Sequence, residues 1–283
     1  MVAVNWLLGA ALLGGVAGAA QLARFHSDRT EAQRAWAELL NARVPMPEHF
    51  DPVTVAELPA AARRFFGFAI QPGTRLSSVV EVRMGGELSL GTREDPAYQP
   101  MRAEQVLAPP HGLVWRLQAG QGAMRIWGSD GMVHGRSWTR FWLLGVVPVV
   151  RAGGDSDHLR SSFGRVVTEA AFWAPAFLLP RPGVAWAEVD QHTARATVTH
   201  EGMSQDVEIR VDAEGRPLSV SILRWTNANP QKAFRLQPFG GELSDFRDVG
   251  GYRLPFRVDG GNFFGSPEYF PFYRARVAEI TIR

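Results

Sequence analysis

Residues 161–186, SSFGRVVTEAAFWAPAFLLPRPGVAW, form a strongly helical and apolar segment between two halves of the chain whose patterns are typical of β-strands. Ser161 or Ser162 is expected to cap the start of this helix, and Pro175 to end it, because a proline disfavours helical geometry in the residue before it. One face of the helix is apolar and consists of Phe163, Val166, Val167, Ala170 and Trp173. That face must be covered, so we expect the helix to pack on the concave side of a sheet.

Strands on both sides of this helix are predicted by the alternation of apolar and polar residues. Residues 203–211, MSQDVEIRV, show it most clearly. The other expected strands cover residues 76–84, 101–108, 112–119, 123–127, 193–200, 218–226, 242–249, 252–258 and 273–282, with turns that include Gly85-Gly86 and Ser129-Asp130-Gly131. Connections this short require antiparallel pairing. The prediction is a mainly β fold, in which residues 70–283 form a curved antiparallel sheet or half-barrel with a helical insertion at 161–179 on its concave face.

The N-terminal segment is predicted to be a membrane anchor. No side chain from Val2 to Ala23 is charged, and about 20 such residues are what a helix needs to span a bilayer. A cleaved signal peptide is the alternative, which the small residues at 17–19 favour and the lack of a preceding Lys or Arg disfavours. We predict a single-pass anchor at 1–23, followed by juxtamembrane helices and a linker at 24–69. Arg24 and Arg29 favour a cytoplasmic location of the body.

The composition disfavours several classes of protein. Thirty Lys and Arg residues against 28 Asp and Glu residues give a formal net charge of +2, and basic and acidic residues are interspersed, so nucleic acid is not expected as a partner. The chain has no cysteine, which rules out disulfides and thiolate metal ligands. The seven histidines lack the spacing of a metal site, and no nucleotide or dinucleotide motif occurs, so we expect neither a metal nor a cofactor.

Tryptophans on neighbouring predicted elements suggest two interpretations: they line a cavity for a lipid or other apolar ligand, or they fill a wide core. The candidates for ligand contact are Trp115, Trp127, Trp138, Trp142, Trp173 and Trp186. If the central helix is a lid over a cavity, Trp173 is expected to face inward from its end, near Trp115, with Trp186 as a further neighbour.

Motifs spread over nearly the whole chain after the anchor resemble DUF6544, a bacterial family of unknown function. They are LP at 58–59, RFF at 64–66, GLVW at 112–115, DG at 130–131, Glu169 with WAP at 173–175, Leu178, Trp186 and GYRLP at 251–255. Phe65 and Tyr98 depart from the family pattern, which usually has Tyr and Trp there. The resemblance implies an N-terminal segment in the bacterial inner membrane and a soluble domain without established activity. Its architecture is similar to that of LolA-type lipoprotein carriers, half-barrels with helical lids, and that analogy favours the periplasm.

One polar set is a candidate for catalysis. Asp130 and His134 flank one expected turn, and Glu169 borders the apolar face of the central helix, so an acid and a base could act together there. The structural alternative is ordinary turn chemistry at Asp130 and an i, i+4 ion pair between Arg165 and Glu169.

Three functions therefore remain open from sequence. The first is a membrane-anchored protein that binds a lipid or other apolar ligand in a β half-barrel. The second is a hydrolase or isomerase that uses Asp130, His134 and Glu169. The third is a scaffold with a filled core, and the lack of any catalytic motif favours a protein that is not an enzyme.

Overall fold

The fold is mainly β. The structure, a computed structural model, describes the backbone of residues 2–283 and the side chains of residues 18–283. Its helices are α1 (Val2–Leu40), α2 (Ala60–Ala69) and α3 (Ser156–Trp173). Its strands are β1 (Val80–Ser89), β2 (Tyr98–Ala108), β3 (Gly112–Ala119), β4 (Ile126–Val133), β5 (Arg136–Leu143), β6 (Val147–Gly153), β7 (Val184–Asp190), β8 (Thr193–His200), β9 (Met203–Val211), β10 (Pro217–Thr226), β11 (Arg235–Val249), β12 (Tyr252–Asn262) and β13 (Phe270–Ile282).

All 13 strands belong to one antiparallel sheet with the order β6-β5-β4-β3-β2-β1-β13-β12-β11-β10-β9-β8-β7. Each half of the chain is therefore a meander of neighbouring strands, and the pairing of β1 with β13 joins the two halves. Strands β6 and β7 are the two ends of this order, so the sheet is not closed.

Strong curvature of the sheet follows from the contacts of α3. This helix contacts β5 and also β10, which stand eight positions apart in the strand order. In a flat sheet these strands would lie roughly 38 Å apart, whereas a helix is only about 10–12 Å across. The sheet must wrap around α3, which lies on its concave face, hereafter the inner face.

The inner face is covered by α2, α3 and a short 3-10 helix at Pro175–Leu178. Phe66 of α2 and Val166 and Val167 of α3 are fully buried against it, as is Leu178. The predicted apolar face of the central helix is confirmed, because all five of its residues belong to this core. The helix begins earlier than predicted, however, since Asp155 and not Ser161 or Ser162 is its N-cap and accepts a hydrogen bond from the backbone N–H of His158.

Helix α1 packs on the opposite, outer face of the sheet, across β2, β3 and β4. Its buried residues Ala32, Ala35 and Leu39 form a second, smaller core with outer-face residues such as Val114 and Trp138. These buried residues give α1 a packing face, and this part of the helix lies on the body of the protein.

The predictions of turns at Gly85-Gly86 and at Ser129-Asp130-Gly131 are wrong. Gly85 and Gly86 lie inside β1, and Asp130 and Gly131 lie inside β4. The β4–β5 connection instead contains His134 and Gly135, both with positive φ. A glycine or Asp-Gly pair is an ambiguous signal, because a curved sheet also places glycine where strands approach closely. At Gly131 an added Cβ would lie 2.5 Å from the Trp138 ring, so this glycine makes room for a tryptophan.

Among the residues that the structure describes, no helix has both the length and the hydropathy needed to cross a membrane. Most of the predicted anchor at 1–23, namely residues 1–17, lies outside the described side chains. The anchor therefore stays a prediction.

Candidate functional site

The structure distributes the six candidate tryptophans over both faces of the sheet. On the inner face, Trp115 and Trp173 are buried in the large core, and the half-buried Trp186 packs against it. Trp127, Trp138 and Trp142 face outward, since Trp138 packs in the core beneath α1 and Trp142 is bonded to α1. The tryptophans therefore do not line one common cavity.

Trp173 occupies a packed position. It is 1 % exposed, its ring lies against Phe172 with centroids 4.7 Å apart, and its indole N–H donates to the carbonyl of Pro255 at 3.4 Å. Trp186 instead packs on Phe65 and Phe66 of α2. The aromatic neighbours of Trp115 are Phe141 and Tyr273. These partners differ from the arrangement expected for a lid over a cavity.

Asp130 and Glu169, two of the candidate catalytic residues, are joined by Arg165 on the inner face. Arg165 contacts Asp130 at 2.8 Å and forms the expected i, i+4 ion pair with Glu169. Glu169 also accepts a hydrogen bond from the fully buried Gln105. Burial alone would lower the pKa of Arg165, but the charges of Glu169 and Asp130 outweigh it and raise that pKa. Both carboxylates are thus engaged in a largely buried ion-pair network.

His134, the third candidate, lies elsewhere. It is four residues further along the chain than Asp130, which corresponds to roughly 13 Å along an extended strand. Its imidazole lies tilted by 50° against that of His111, with ring centroids 5.6 Å apart, and His111 in turn contacts His200 edge-on at 5.7 Å. The side chain that approaches Asp130 is instead His158, through the hydroxyl of Thr139, which lies 3.0 Å from each.

The described region contains no evident metal-binding site. Within residues 18–283, no group of three or more His, Asp or Glu side chains is arranged to hold a metal ion. This holds for the three neighbouring histidines at 111, 134 and 200, whose rings contact each other tilted or edge-on.

A groove of about 1160 Å³ lies on the outer face, between α1 and the strands β1–β5. We call it the outer groove. Its apolar lining comes from α1 and from the β4–β6 region, and includes Leu22, Phe25, Trp127, Trp142 and Leu144. Two of the candidate tryptophans, Trp127 and Trp142, therefore do share a site, together with an α1 segment that the sequence did not place there.

The position of α1 over the outer groove is fixed by Asp28. This carboxylate accepts hydrogen bonds from Trp142 and Arg151 and forms an ion pair with Arg140. Burial by itself would raise the pKa of Asp28, but the hydrogen bonds from Arg151 and Trp142 and the nearby guanidinium charges outweigh it and lower that pKa. Asp28 is therefore charged at neutral pH and connects the helix to β5 and β6.

Cationic side chains outnumber carboxylates in the lining of the outer groove. The arginines are Arg29, Arg83, Arg102, Arg116 and Arg140, and the carboxylates are Asp28 and Glu104. Within the described side chains, Arg29 and Arg102 have no carboxylate oxygen within 4.0 Å. The buried Nε of Arg116 also has no hydrogen-bond partner there. The Arg116 guanidinium, however, already pairs with Glu104 at 2.7 Å. Arg29 and Arg102 are therefore the groups that can attract and bind an anion.

The strand register orders these groups into a row across the groove floor. Arg102 of β2 pairs with Gln118 of β3, which pairs with Trp127 of β4, which pairs with Trp142 of β5. The floor therefore runs from a cation, through an amide, to two aromatic rings. Arg102 and Trp127 are two strands apart, or about 10 Å.

Sequence reasoning missed the outer groove because it treated the outer face as solvated. A signal was available: β3, β4 and β5 carry large apolar residues on both faces, for example Leu113 and Val114 on β3. A strand that is apolar on both sides requires a cover on both sides. That pattern would have placed an element over the outer face without identifying it as α1.

Comparisons with known proteins give a family and a distant structural likeness. No curated protein shows significant similarity to the chain. A crystal structure described as an outer membrane lipoprotein-sorting protein domain from Vibrio parahaemolyticus is similar to it with a TM-score of 0.37 and 10% identity, over 73% of this chain and 86% of that one. At those values the likeness implies neither a ligand nor a reaction. The model of a family of unknown function, DUF6544, matches residues 48–275, and the chain therefore belongs to the DUF6544 family.

Proposed function

We propose that this protein binds an anionic amphiphile, such as a fatty acid or an anionic lipid, in the outer groove. The observation that carries the proposal is the row Arg102, Gln118, Trp127 and Trp142 along the floor of a groove of about 1160 Å³. Sites for small apolar ligands typically occupy about 300–1,000 Å³ and combine an apolar lining with a few polar groups.

The order of the row supports an orientation for the ligand. A carboxylate or phosphate head is expected at Arg102, which has no carboxylate within 4.0 Å among the described residues. The alkyl chain then crosses Trp127 toward Phe25 and Leu144. Aromatic and aliphatic side chains at that end bury the chain, and the cation at the other end compensates the charge of the head.

The inner face favours a structural role over ligand binding. Trp173 and its neighbours on α3 are buried in one continuous core. The earlier candidates Trp115, Trp138, Trp173 and Trp186 are accordingly proposed as packing residues, and Trp127 and Trp142 as ligand contacts. The candidate hydrolase lacks support, because Asp130 and Glu169 share Arg165 while the His134 ring lies against His111.

We also propose that residues 2–23 anchor the chain in the bacterial inner membrane. Support comes from the uncharged stretch between Val2 and Ala23 and from the continuity of α1, whose helical backbone runs from Val2 to Leu40. The side of the membrane on which the body lies stays open.

The groove is tested with a fluorescent fatty acid, 11-(dansylamino)undecanoic acid, titrated into the full chain held in a nonionic detergent. We expect saturable binding that dodecanoate displaces and dodecanol displaces weakly. Arg102→Ala and Trp127→Ala are each expected to weaken binding at least about fivefold, a loss of roughly 1 kcal/mol. Arg235→Ala, on β11 outside the groove, is the matched control and should bind as the unmutated chain does. No binding, or binding that neither groove variant weakens, would contradict the proposal.

A further inference from the structure

An exposed apolar surface lies on the hairpin formed by β5 and β6. Its large side chains are Leu144, Val147, Val149 and Val150, which are 40% to 52% exposed. Every residue of β6 is exposed, so the strand is uncovered on both faces. A strand of this kind normally buries one face, and a cluster of exposed valines and leucine on an edge strand therefore indicates a partner. We call these four residues the hairpin patch.

The hairpin patch lies next to the place where the apolar segment of α1 ends. Gly145, in the β5–β6 turn, packs against the ring of Phe25, such that an added Cβ would be 3.3 Å from it. Phe25 also lies edge-on against Trp142, with ring centroids 5.9 Å apart. Phe25 is two residues beyond Ala23, where the uncharged stretch ends, with Arg24 between them. The patch and the predicted anchor are thus neighbours in space.

Basic and aromatic side chains surround the hairpin patch. The carbonyl of Arg125 accepts the backbone N–H of Leu144 at 2.9 Å, and the Arg125 guanidinium lies 5.7 Å from the centre of the Trp127 ring. Arg151 is on β6 itself, and Arg29 lies over Phe25 at 5.6 Å. Tryptophan and arginine beside an apolar surface are typical of residues at the interface of an anionic bilayer.

We infer that the hairpin patch inserts into the interfacial layer of an anionic membrane beside the N-terminal helix. The inference rests on the proposed anchoring of residues 2–23 and does not require a ligand in the outer groove. Pairing of β6 with β6 of a second copy is the competing use of this edge. Pro148 argues against it, because a proline in an edge strand has no backbone N–H to donate to an added strand.

The absence of cysteine in the chain allows a direct test of membrane depth. Single-cysteine variants of the full chain, Val147→Cys, Val149→Cys, Leu12→Cys and Leu223→Cys, are labelled with the environment-sensitive dye NBD. Each is reconstituted in nanodiscs of phosphatidylcholine with phosphatidylglycerol, with or without nitroxide-labelled lipid. Leu223 is the matched control, since it is 56% exposed and lies on β10, outside the β5–β6 hairpin. Leu12 reports on the anchor.

We expect nitroxide lipid to quench the labels at 147 and 149 at least about twofold more than the label at 223, as interfacial residues lie within the acyl boundary. Quenching at 12 without quenching at 147 and 149 would overturn the inference and leave the anchor intact. No quenching at 12 would overturn the anchor and the inference with it. A third outcome is that the labels at 147 and 149 become shielded from water as the protein concentration rises, without quenching by nitroxide lipid. That outcome would indicate that β6 pairs with a second copy, and it would also overturn the inference.

Discussion

The indole N–H of Trp142 on β5 donates a hydrogen bond of 3.0 Å to the carboxylate of Asp28 on α1. The two side chains are both largely buried, with exposures of 1% and 8%. Arg140 and Arg151 complete the contact by binding the same carboxylate. A single acidic residue therefore connects the N-terminal helix to the sheet and shapes one wall of the outer groove.

Asp28→Ala is expected to lower the free energy of unfolding by about 3 kcal/mol, because its removal leaves Arg151 and the indole N–H of Trp142 without their acceptor. Urea unfolding of the full chain in nonionic detergent measures the change. Glu31→Ala is the control, since Glu31 also binds Arg140 but is 41% exposed, and an exposed pair contributes about 1 kcal/mol or less. Equal losses in the two variants would show that Asp28 does not hold α1 in place.

Arg165→Ala is expected to destabilise the protein by about 3–5 kcal/mol, because the carboxylates of Asp130 and Glu169, only 21% and 12% exposed, would lose the cation they share. Thermal unfolding provides the measurement. The control is Arg195→Ala, which removes an ion pair with Glu208 whose side chains are 41% and 36% exposed, and which should cost about 1 kcal/mol or less. A loss at Arg165 no greater than that of the control would contradict a buried network.

Trp173→Ala is expected to cost about 3–5 kcal/mol, since a buried tryptophan leaves a void that the core cannot fully close. Trp127→Ala, by contrast, removes a half-buried groove residue and should cost clearly less stability while it weakens binding of the fluorescent fatty acid. Chemical unfolding and the binding titration, done on both variants, separate the two roles. A small loss of stability in Trp173→Ala together with weaker binding of the fluorescent fatty acid would indicate that the ligand binds on the inner face instead.

Stability is expected to fall as the pH drops below about 6.5, through His111. Burial lowers the pKa of His111, and the nearby His200 and His134 lower it further, against a hydrogen bond to the Arg43 carbonyl and the charge of Glu201. A histidine with a lowered pKa binds its proton more readily in the unfolded chain, so acid favours unfolding in this range.

Unfolding curves between pH 7 and pH 5 measure this effect. His111→Gln should lose part of the pH dependence, while His192→Gln, at an exposed turn residue, should retain it. If the stability of His111→Gln depends on pH as that of the unmutated chain does, other groups must cause the loss of stability at low pH.

Local pattern was sufficient for most of the fold. Alternation along 203–211 predicted β9, and the apolar spacing from Phe163 to Trp173 predicted the buried face of α3. Short turns predicted antiparallel pairing, and the sheet order confirms it. The Arg165–Glu169 pair was also predicted, because a helix fixes the distance between residues four apart. Errors arose where a short motif had two structural uses, as at Asp130-Gly131 within β4.

The sequence by itself determined most of the elements that form, because strand and helix periodicity are local properties of the chain. Strands β5, β6 and β7 were not predicted. Only the tertiary structure decided which face of the sheet each tryptophan occupies and that α1 lies over the outer face. Both depend on the strand register and on the contact between Asp28 and Trp142, which are more than a hundred residues apart in the chain. It also decided that Asp130 and Glu169 share Arg165 while His134 lies with His111. Such pairings require long-range packing, and no local spacing encodes them.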